Sequence, residues 1–512
     1  MSLKRTYSPP SGSARRAGFL AIVAGAGIGT VGLFALGLEA KWAIFATLGL
    51  MLPFVGALTG SVQRFLLALL LFTIPLNADI HLLYHPEAAG IRGLVIALPD
   101  LCLLVLVAMW LIEVAAGLSQ ERVRLVPKVT VPFAALLALA ALSALWAPRP
   151  LFALFDVWQM AKVLLLFLYL VNKVRDRESL RFVVGVLLVG VAVQGVIVLL
   201  QNTTGLSMGI LGQETRAELF RAEAEMSLVR RPGGTVGHAN TLGRYFVLLL
   251  PTGFFLILRS PQKRYLYLTT TGLGLLGMIL TLSRSAWVGL AFATAVAFVA
   301  ERRWGKGRIL PRRGGIALAV LLVAFVVAFG PKVYRRMVSP DFGATMSRLT
   351  TAKVALNVIH DHPLLGVGMN NYREVLDAYF DPSDPFTRVA PVHNLYLLFA
   401  AELGLMGLLI FIWLMLSVLR VMRLGLRIRD SLCSGAAVGL FSGFAAMLVM
   451  ATSDYAYKQS LPLMSTMWIV AALGAAVAHL QEKEAVAEQV AQPAHEPLPV
   501  NITSQLLALA QE

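Results

Sequence analysis

The chain has 512 residues, of which 58% are hydrophobic and only 14% charged, with a net charge of +16. Soluble domains carry nearer a quarter charged residues. The apolar excess here falls in unbroken runs of bilayer-crossing length, about 20 residues each, without the alternation a closed barrel requires. The fold class is therefore an all-α polytopic membrane protein. The basic residues cluster in short loops between the runs, which argues against nucleic acid as the reason for the charge. Cys102 and Cys433 lie inside apolar runs, which argues against a disulfide framework or a thiolate metal site.

In chain order, Met1–Arg16 is Ser/Pro-rich and basic, with no convincing cleavage site, and is expected to be an uncleaved cytoplasmic tail. About 14 spanning runs follow, near 17–38, 42–58, 62–76, 93–117, 129–147, 151–172, 180–201, 238–258, 265–283, 285–300, 315–331, 393–419, 431–452 and 461–480. The third is short and the eleventh barely long enough, so 12–14 membrane helices are expected. Every second loop is basic: Arg122, Arg124 and Lys128; Lys173, Arg175, Arg177 and Arg181; Arg259, Lys263 and Arg264; Arg302, Arg303, Lys306, Arg308, Arg312 and Arg313; Arg420, Arg423, Arg427 and Arg429. The positive-inside rule then places these loops and both termini in the cytoplasm. The expected division is a tail at 1–16, a transmembrane catalytic domain at 17–480 and a polar cytoplasmic tail at 481–512.

Two long loops fall on the other, periplasmic, side, at about 202–237 and 332–392. Within the second, 345–360 reads as an amphipathic helix with Leu349, Ala352, Leu356 and Ile359 on one face. The turn-rich Gly366–Asn371 stretch follows, then Asp381-Pro382 and Asp384-Pro385.

Four polar clusters map to that outer side. Arg231-Pro-Gly-Gly-Thr-Val-Gly-His238-Ala-Asn240 combines glycines, which let a backbone approach a ligand, with an arginine fork suited to phosphate. A flexible loop with His238 or Asn240 as a helix cap is the plainer alternative. Arg284, in a tight turn between two spans, runs against the topological bias. It is either a snorkelling anchor or a ligand for an anion at the membrane surface. Arg348 sits on the amphipathic helix, where a solvated face alone would account for it. His393-Asn394-Leu-Tyr opens a span, with Glu402 further along. Imidazole at a helix N-terminus is held neutral by the dipole, which suits a general base near neutral pH; a structural histidine is the alternative. Asp100, Asp156 and Lys162 lie within spans and must face the bundle interior. They are structural or line the site. No His, Asp and Glu set has metal-ligand spacing, and no cofactor is expected.

Outward arginines, a candidate base and a large outer loop suit transfer from a polyprenyl-pyrophosphate donor, the arginines stabilising the leaving charge and the histidine taking a proton from an acceptor hydroxyl. The chain resembles the O-antigen ligase and O-antigen polymerase superfamily. The resemblance rests on R-P-G-G-T-V-G-H-A-N at 231–240, T-L-S-R at 281–284, S-R-L-T-T-A-K at 347–353 with H-P-L-L-G-V-G-M-N-N-Y at 362–372, and H-N-L-Y-L-L-F-A-A-E-L-G-L-M-G at 393–407. It covers about 180–420. It implies an undecaprenyl-pyrophosphate-linked glycan as donor, without nucleotide sugar or metal, and an acceptor glycan or lipid A core, at the bacterial inner membrane. It also implies that Arg284 and Arg348 bind pyrophosphate and that His393 is catalytic. Arg231, His238 and Asn240 match a further motif. With Asn394, Tyr372 and Glu402 they are expected to bind substrate. The span count and the C-terminal tail depart from the family pattern without touching these residues. The same motif set serves ligases and polymerases. A lipid-linked glycan flippase or other polysaccharide transporter is the alternative from another class; it should show internal repeats and a mid-membrane site, and neither is evident.

Overall fold

A computed structural model describes residues 61–76, 79–86, 88, 90–118, 122–205, 218–222, 227–304, 330, 334, 344–379 and 391–491. Helix α1 (Val62–Thr73) is capped by the Ser61 side chain and runs through a 3-10 turn to Leu76. An antiparallel hairpin follows, β1 (Asp79–Leu82) on β2 (Leu94–Ala97), with Asp79 opposite Ala97. Four long helices come next: α2 (Leu98–Ala115), α3 (Pro127–Leu142), α4 (Pro150–Lys173) and α5 (Arg177–Thr204). A second hairpin, β3 (Glu218–Ala222) on β4 (Ser227–Arg231), leads into α6 (Ala239–Arg259), α7 (Arg264–Leu280) and α8 (Arg284–Trp304). Then come α9 (Ala344–Asp361), the single turn α10 (Tyr372–Val375), α11 (Leu395–Gly425), α12 (Ser431–Met450), the single turn α13 (Ala456–Gln459) and α14 (Leu461–Ala491).

Among the described residues, nine helices are long and apolar enough to cross a membrane, and Val62–Leu76 is a shorter apolar helix. Helices suit that setting because each satisfies its own backbone groups. The predicted runs near 17–38, 42–58 and 315–331 lie outside the described residues, as do the N-terminal tail and the two Asp-Pro pairs; each remaining run falls on a helix. Two boundaries differ from the sequence reading. The run at 93–117 begins as strand β2, and the helix starts only at Leu98, with Pro99 in its first turn. The polar stretch after 481 continues α14 as helix to Ala491. The outer loop at 202–237 also holds an unforeseen hairpin, β3–β4.

At the centre, α12 lies against α6. Gly435, Gly439 and Gly443 recur every fourth residue on its facing side, and a Cβ at Gly439 or Gly443 would strike the α6 backbone at Thr252 or Leu248. Small residues at this spacing let two membrane helices meet closely.

The basic loops gather at one end of the bundle and pair across helix ends: Arg64 with Glu178 (2.9 Å), Lys173 with Glu113 (2.5 Å), Arg177 with Asp430 (3.0 Å), and Arg259 with Glu301. The opposite ends of the same helices carry His238, Arg284, His393 and Asp454.

Helix α11 is broken near its start. Gly404 has φ 68° and ψ −175°, a region open essentially to glycine alone. The carbonyls of Ala401 and Glu402 accept the amides of Val367 (3.0 Å) and Gly368 (2.8 Å), while the Leu405 amide reaches the Pro363 carbonyl (2.8 Å). The His362–Gly368 segment is thus threaded into the helix break. A Cβ at Gly366 would strike the Glu402 carbonyl, and one at Gly404 the Leu364 carbonyl. Two sequence motifs some forty residues apart are one structural unit. The turn that follows is pinned as well. Asn370, at φ 56°, donates to the carbonyls of Ile91 (3.0 Å) and Phe152 (3.1 Å), and Asn371 exchanges hydrogen bonds with the backbone of Arg149. Gly404→Ala is expected to cost at least about 1–3 kcal/mol from the backbone alone, with the clash in addition. The check is a lowered thermal midpoint of the purified protein; an unchanged midpoint contradicts the docked break.

Helix α9 confirms the predicted helix but not its predicted face. Thr351, Ala355 and Val358 are buried, with Ala352 and Ile359 packed beside them, whereas Leu349 (56%) and Leu356 (54%) are exposed. The face that packs on α11 is the one with small side chains, where the helices approach closely.

Candidate active site

A cavity of about 510 Å³ opens at the end of the bundle away from the basic loops. It collects His238, Asn240, Arg348 and His393 from the sequence-predicted set, and adds Arg244, Asp454 and Tyr455. The β1–β2 hairpin supplies a further part of the wall with Asp79, His81 and Arg92.

His393 is placed by the start of α11. Asn394 is the N-cap, its side chain accepting the amides of Tyr396 (2.9 Å) and Leu397 (3.1 Å). The Leu395 amide reaches the Ala451 carbonyl at the end of α12 (2.9 Å), which ties the two helix ends together. The imidazole lies at a tilt 5.3 Å from the Tyr455 ring, and its Nδ1 is buried without a hydrogen bond. Burial lowers its pKa below the ordinary histidine value. Asp454 opposes this, and the positive charges of Arg348 and Arg244, with His238, add to the lowering. The imidazole is therefore neutral near neutral pH and able to accept a proton.

Arg244, on α6, is only 1% exposed and pairs with Asp454 at 2.6 Å. Sequence reasoning passed over both. Arg244 stands inside an apolar run, where an ionisable residue by default marks a functional site. Asp454, more than two hundred residues away, gives no local sign of being its partner.

In the first predicted motif Gly234 packs against α5, while Gly237, at φ 95°, has open space beside it. Gly234 exchanges hydrogen bonds with the Gln201 side chain (2.9 and 3.1 Å), and Thr235 does so with Gln194 (3.1 and 2.6 Å). This buried anchor sets the direction of the chain into His238, which caps α6 by accepting the Asn240 amide at 3.2 Å. Arg231 is buried and bridges two motifs, donating to the Asn240 side chain (2.6 Å) and to the Thr281 carbonyl (3.2 Å). The turn it touches leads through Leu282, at φ 53°, to the half-buried Arg284 at the start of α8. Arg231 reaches the cavity through Asn240, and neither Arg231 nor Arg284 lines it.

The remaining predicted residues are structural in their contacts. Tyr372 is buried with Ala355, Val358 and Leu398 between α9 and α11. Glu402 is buried in an ion-pair cluster in which Lys458 meets Asp156 at 2.6 Å and Glu402 at 2.8 Å. Burial alone would lower the Lys458 pKa, but the two carboxylates outweigh it and hold the ammonium above the usual lysine value. This cluster locks α13, whose neighbours Asp454 and Tyr455 line the cavity. The other intramembrane charges also pair, Lys162 with Asp100 at 2.5 Å. Among the described residues, no group of three or more His, Cys, Asp and Glu is placed to hold a metal ion.

The fold is that of an all-α polytopic membrane protein with a polar cavity at one end. Residues 269–412, which carry Arg284, Arg348, His393 and Glu402, match the family model described as O-antigen ligase. No curated protein matches the chain.

Proposed function

We propose that the protein transfers a glycan from an undecaprenyl-pyrophosphate carrier to a hydroxyl of an acceptor sugar, at the periplasmic face of the inner membrane. The observation that carries this reading is the gathering of His393, Arg348, His238 and Asn240 around one cavity, at the bundle end opposite the basic loops. By the positive-inside rule the basic end is cytoplasmic. In the reaction, the acceptor oxygen bonds to the anomeric carbon as that carbon's bond to the pyrophosphate oxygen breaks. The proton goes to His393, and the electron pair leaves with undecaprenyl pyrophosphate. Arg348 and Arg284 stabilise the developing charge, with Arg231 supporting the turn that presents Arg284. A flippase reading lacks comparable support, since the cavity lies at helix ends and not at mid-span.

The acidic limb of the pH profile reads the base directly. A lowered histidine pKa predicts that transfer falls off only below the ordinary histidine value of about 6.5. Asp454→Asn removes the charge that favours the imidazolium and is expected to move the limb to still lower pH. Arg348→Ala removes an opposing charge and is expected to move the residual activity's limb upward. Limbs that stay together in all three proteins contradict the assignment.

The test of the function is deletion of the gene followed by gel separation of surface glycan. Loss of all capped lipopolysaccharide assigns a ligase, a single-repeat product a polymerase, and an altered exopolysaccharide alone a polymerase of that glycan. Unaltered surface glycans of every kind contradict the proposal.

A further inference from the structure

A second cavity, of about 560 Å³, lies at the basic end of the bundle, opposite the candidate active site. Helix α5 forms its floor, packed against α1 on one side and α7 on the other. The lining is apolar: Phe65, Leu69 and Phe72 from α1, Phe182 and Val186 from α5, and Leu266 from α7. From Phe65 to Phe72 it descends two turns of α1, about 10 Å. A Cβ at Gly185, in the floor, would meet no neighbouring atom among the described residues, so the groove is open at that depth.

The mouth is charged. Arg64, Arg181 and Lys263 stand there with one carboxylate, Glu178, which Arg64 engages at 2.9 Å. The mouth therefore keeps a net positive charge. Arg181 Nε is shielded from solvent and makes no hydrogen bond. Helices α1, α5 and α7 all begin at this end, so the positive ends of three helix dipoles reinforce the same field.

We infer that this groove binds an anionic phospholipid of the cytoplasmic leaflet, its phosphate against Arg181 and Lys263 and an acyl chain along the groove between α1 and α7. Nothing here rests on the transfer reading; the leaflet follows from the positive-inside rule. Basic pockets between membrane helices on the cytoplasmic side suit anionic headgroups, and arginine offers phosphate a planar fork of donors. A soluble anion would answer the charge and leave the apolar lining unfilled. An apolar helix from a partner would fill the lining and leave Arg181 without a counter-ion. A phospholipid does both, with its headgroup at the helix ends and its chain in the hydrocarbon.

The test uses the purified full chain in detergent and two probes, a phosphatidylglycerol and a phosphatidylcholine with the same acyl chains, titrated and counted by native mass spectrometry. The wild type is expected to bind phosphatidylglycerol at one saturable site, roughly ten-fold or more tighter than phosphatidylcholine. Arg181→Gln removes charge from the mouth, and Gly185→Leu fills the floor where a Cβ has room. Each is expected to weaken phosphatidylglycerol binding by roughly ten-fold or more, at a thermal midpoint matched to wild type. Arg303→Gln, at an exposed arginine of the same end, is expected to change nothing. Affinity unchanged in both groove variants overturns the site, as does an equal loss in Arg303→Gln, which marks general charge attraction. A wild type without preference between the two lipids also overturns it, and is the result expected of annular lipid or of a groove filled by the chain's own residues. Should a groove variant fail to fold, labelling of the wild type decides. Phosphatidylglycerol with a diazirine in its acyl chain is expected to crosslink to 65–72 or 182–189, and crosslinks only elsewhere overturn the site.

Discussion

Replacing His393 with alanine is expected to cut glycan transfer by about 10²–10⁴-fold, the usual contribution of a positioned general base, while the protein stays folded. The imidazole is anchored through its backbone neighbours. Asn394 caps α11, and Leu395 hydrogen-bonds to the end of α12. Truncating the ring leaves both in place. A contrasting variant separates chemistry from packing: Asn394→Ala removes a helix cap, which costs about 1 kcal/mol of stability, and is expected to lower the thermal midpoint. In a deletion strain, His393→Ala at normal membrane abundance with no glycan product fits this assignment. Wild-type product from that strain rules out His393 as the base.

The second large effect concerns stability. Lys458→Met leaves Asp156 and Glu402, both buried, without their shared cation. Removing one partner from a buried ion pair costs about 3–5 kcal/mol, because the remaining charge has no water to return to. Here two carboxylates are left, so a large loss of folded protein is expected. Asp156→Asn should be milder, since the ammonium keeps Glu402. Neutralising both carboxylates in the Lys458→Met background should restore much of the loss, because a cluster replaced as a whole is often neutral. The measurement is the thermal midpoint of purified variants in detergent. A Lys458→Met protein as stable as wild type contradicts this account of the cluster.

Much of the fold is legible from hydrophobic runs, because a membrane helix must be apolar along its length and of fixed extent. His393, Arg348, His238 and Asn240 are legible for a related reason: polar groups at the ends of apolar runs stand out, and loop charge assigns them to one end. The partners of these groups are not legible. Arg244 meets Asp454, Lys458 meets Asp156 and Glu402, and Asn371 meets Arg149, each across scores to hundreds of residues. Periodicity within one helix carries no trace of them. The glycines at 233–237 look open in sequence; Gly237 is, but Gln201 and Gln194 on α5 already satisfy the amides of Gly234 and Thr235. Helix α9 shows the same limit: its leucines mark an apolar face, but the contact to α11 is made by Ala355 and Val358, where the helices meet closely.

The most direct test of the central claim is a transfer reaction with purified protein, an undecaprenyl-pyrophosphate-linked glycan and a saccharide acceptor, in the presence of a chelator. The account predicts acceptor-dependent release of undecaprenyl pyrophosphate by the wild type, its loss in His393→Ala, and retained donor binding in that variant. Release at the wild-type rate by His393→Ala, or no acceptor-dependent release by the wild type, contradicts it.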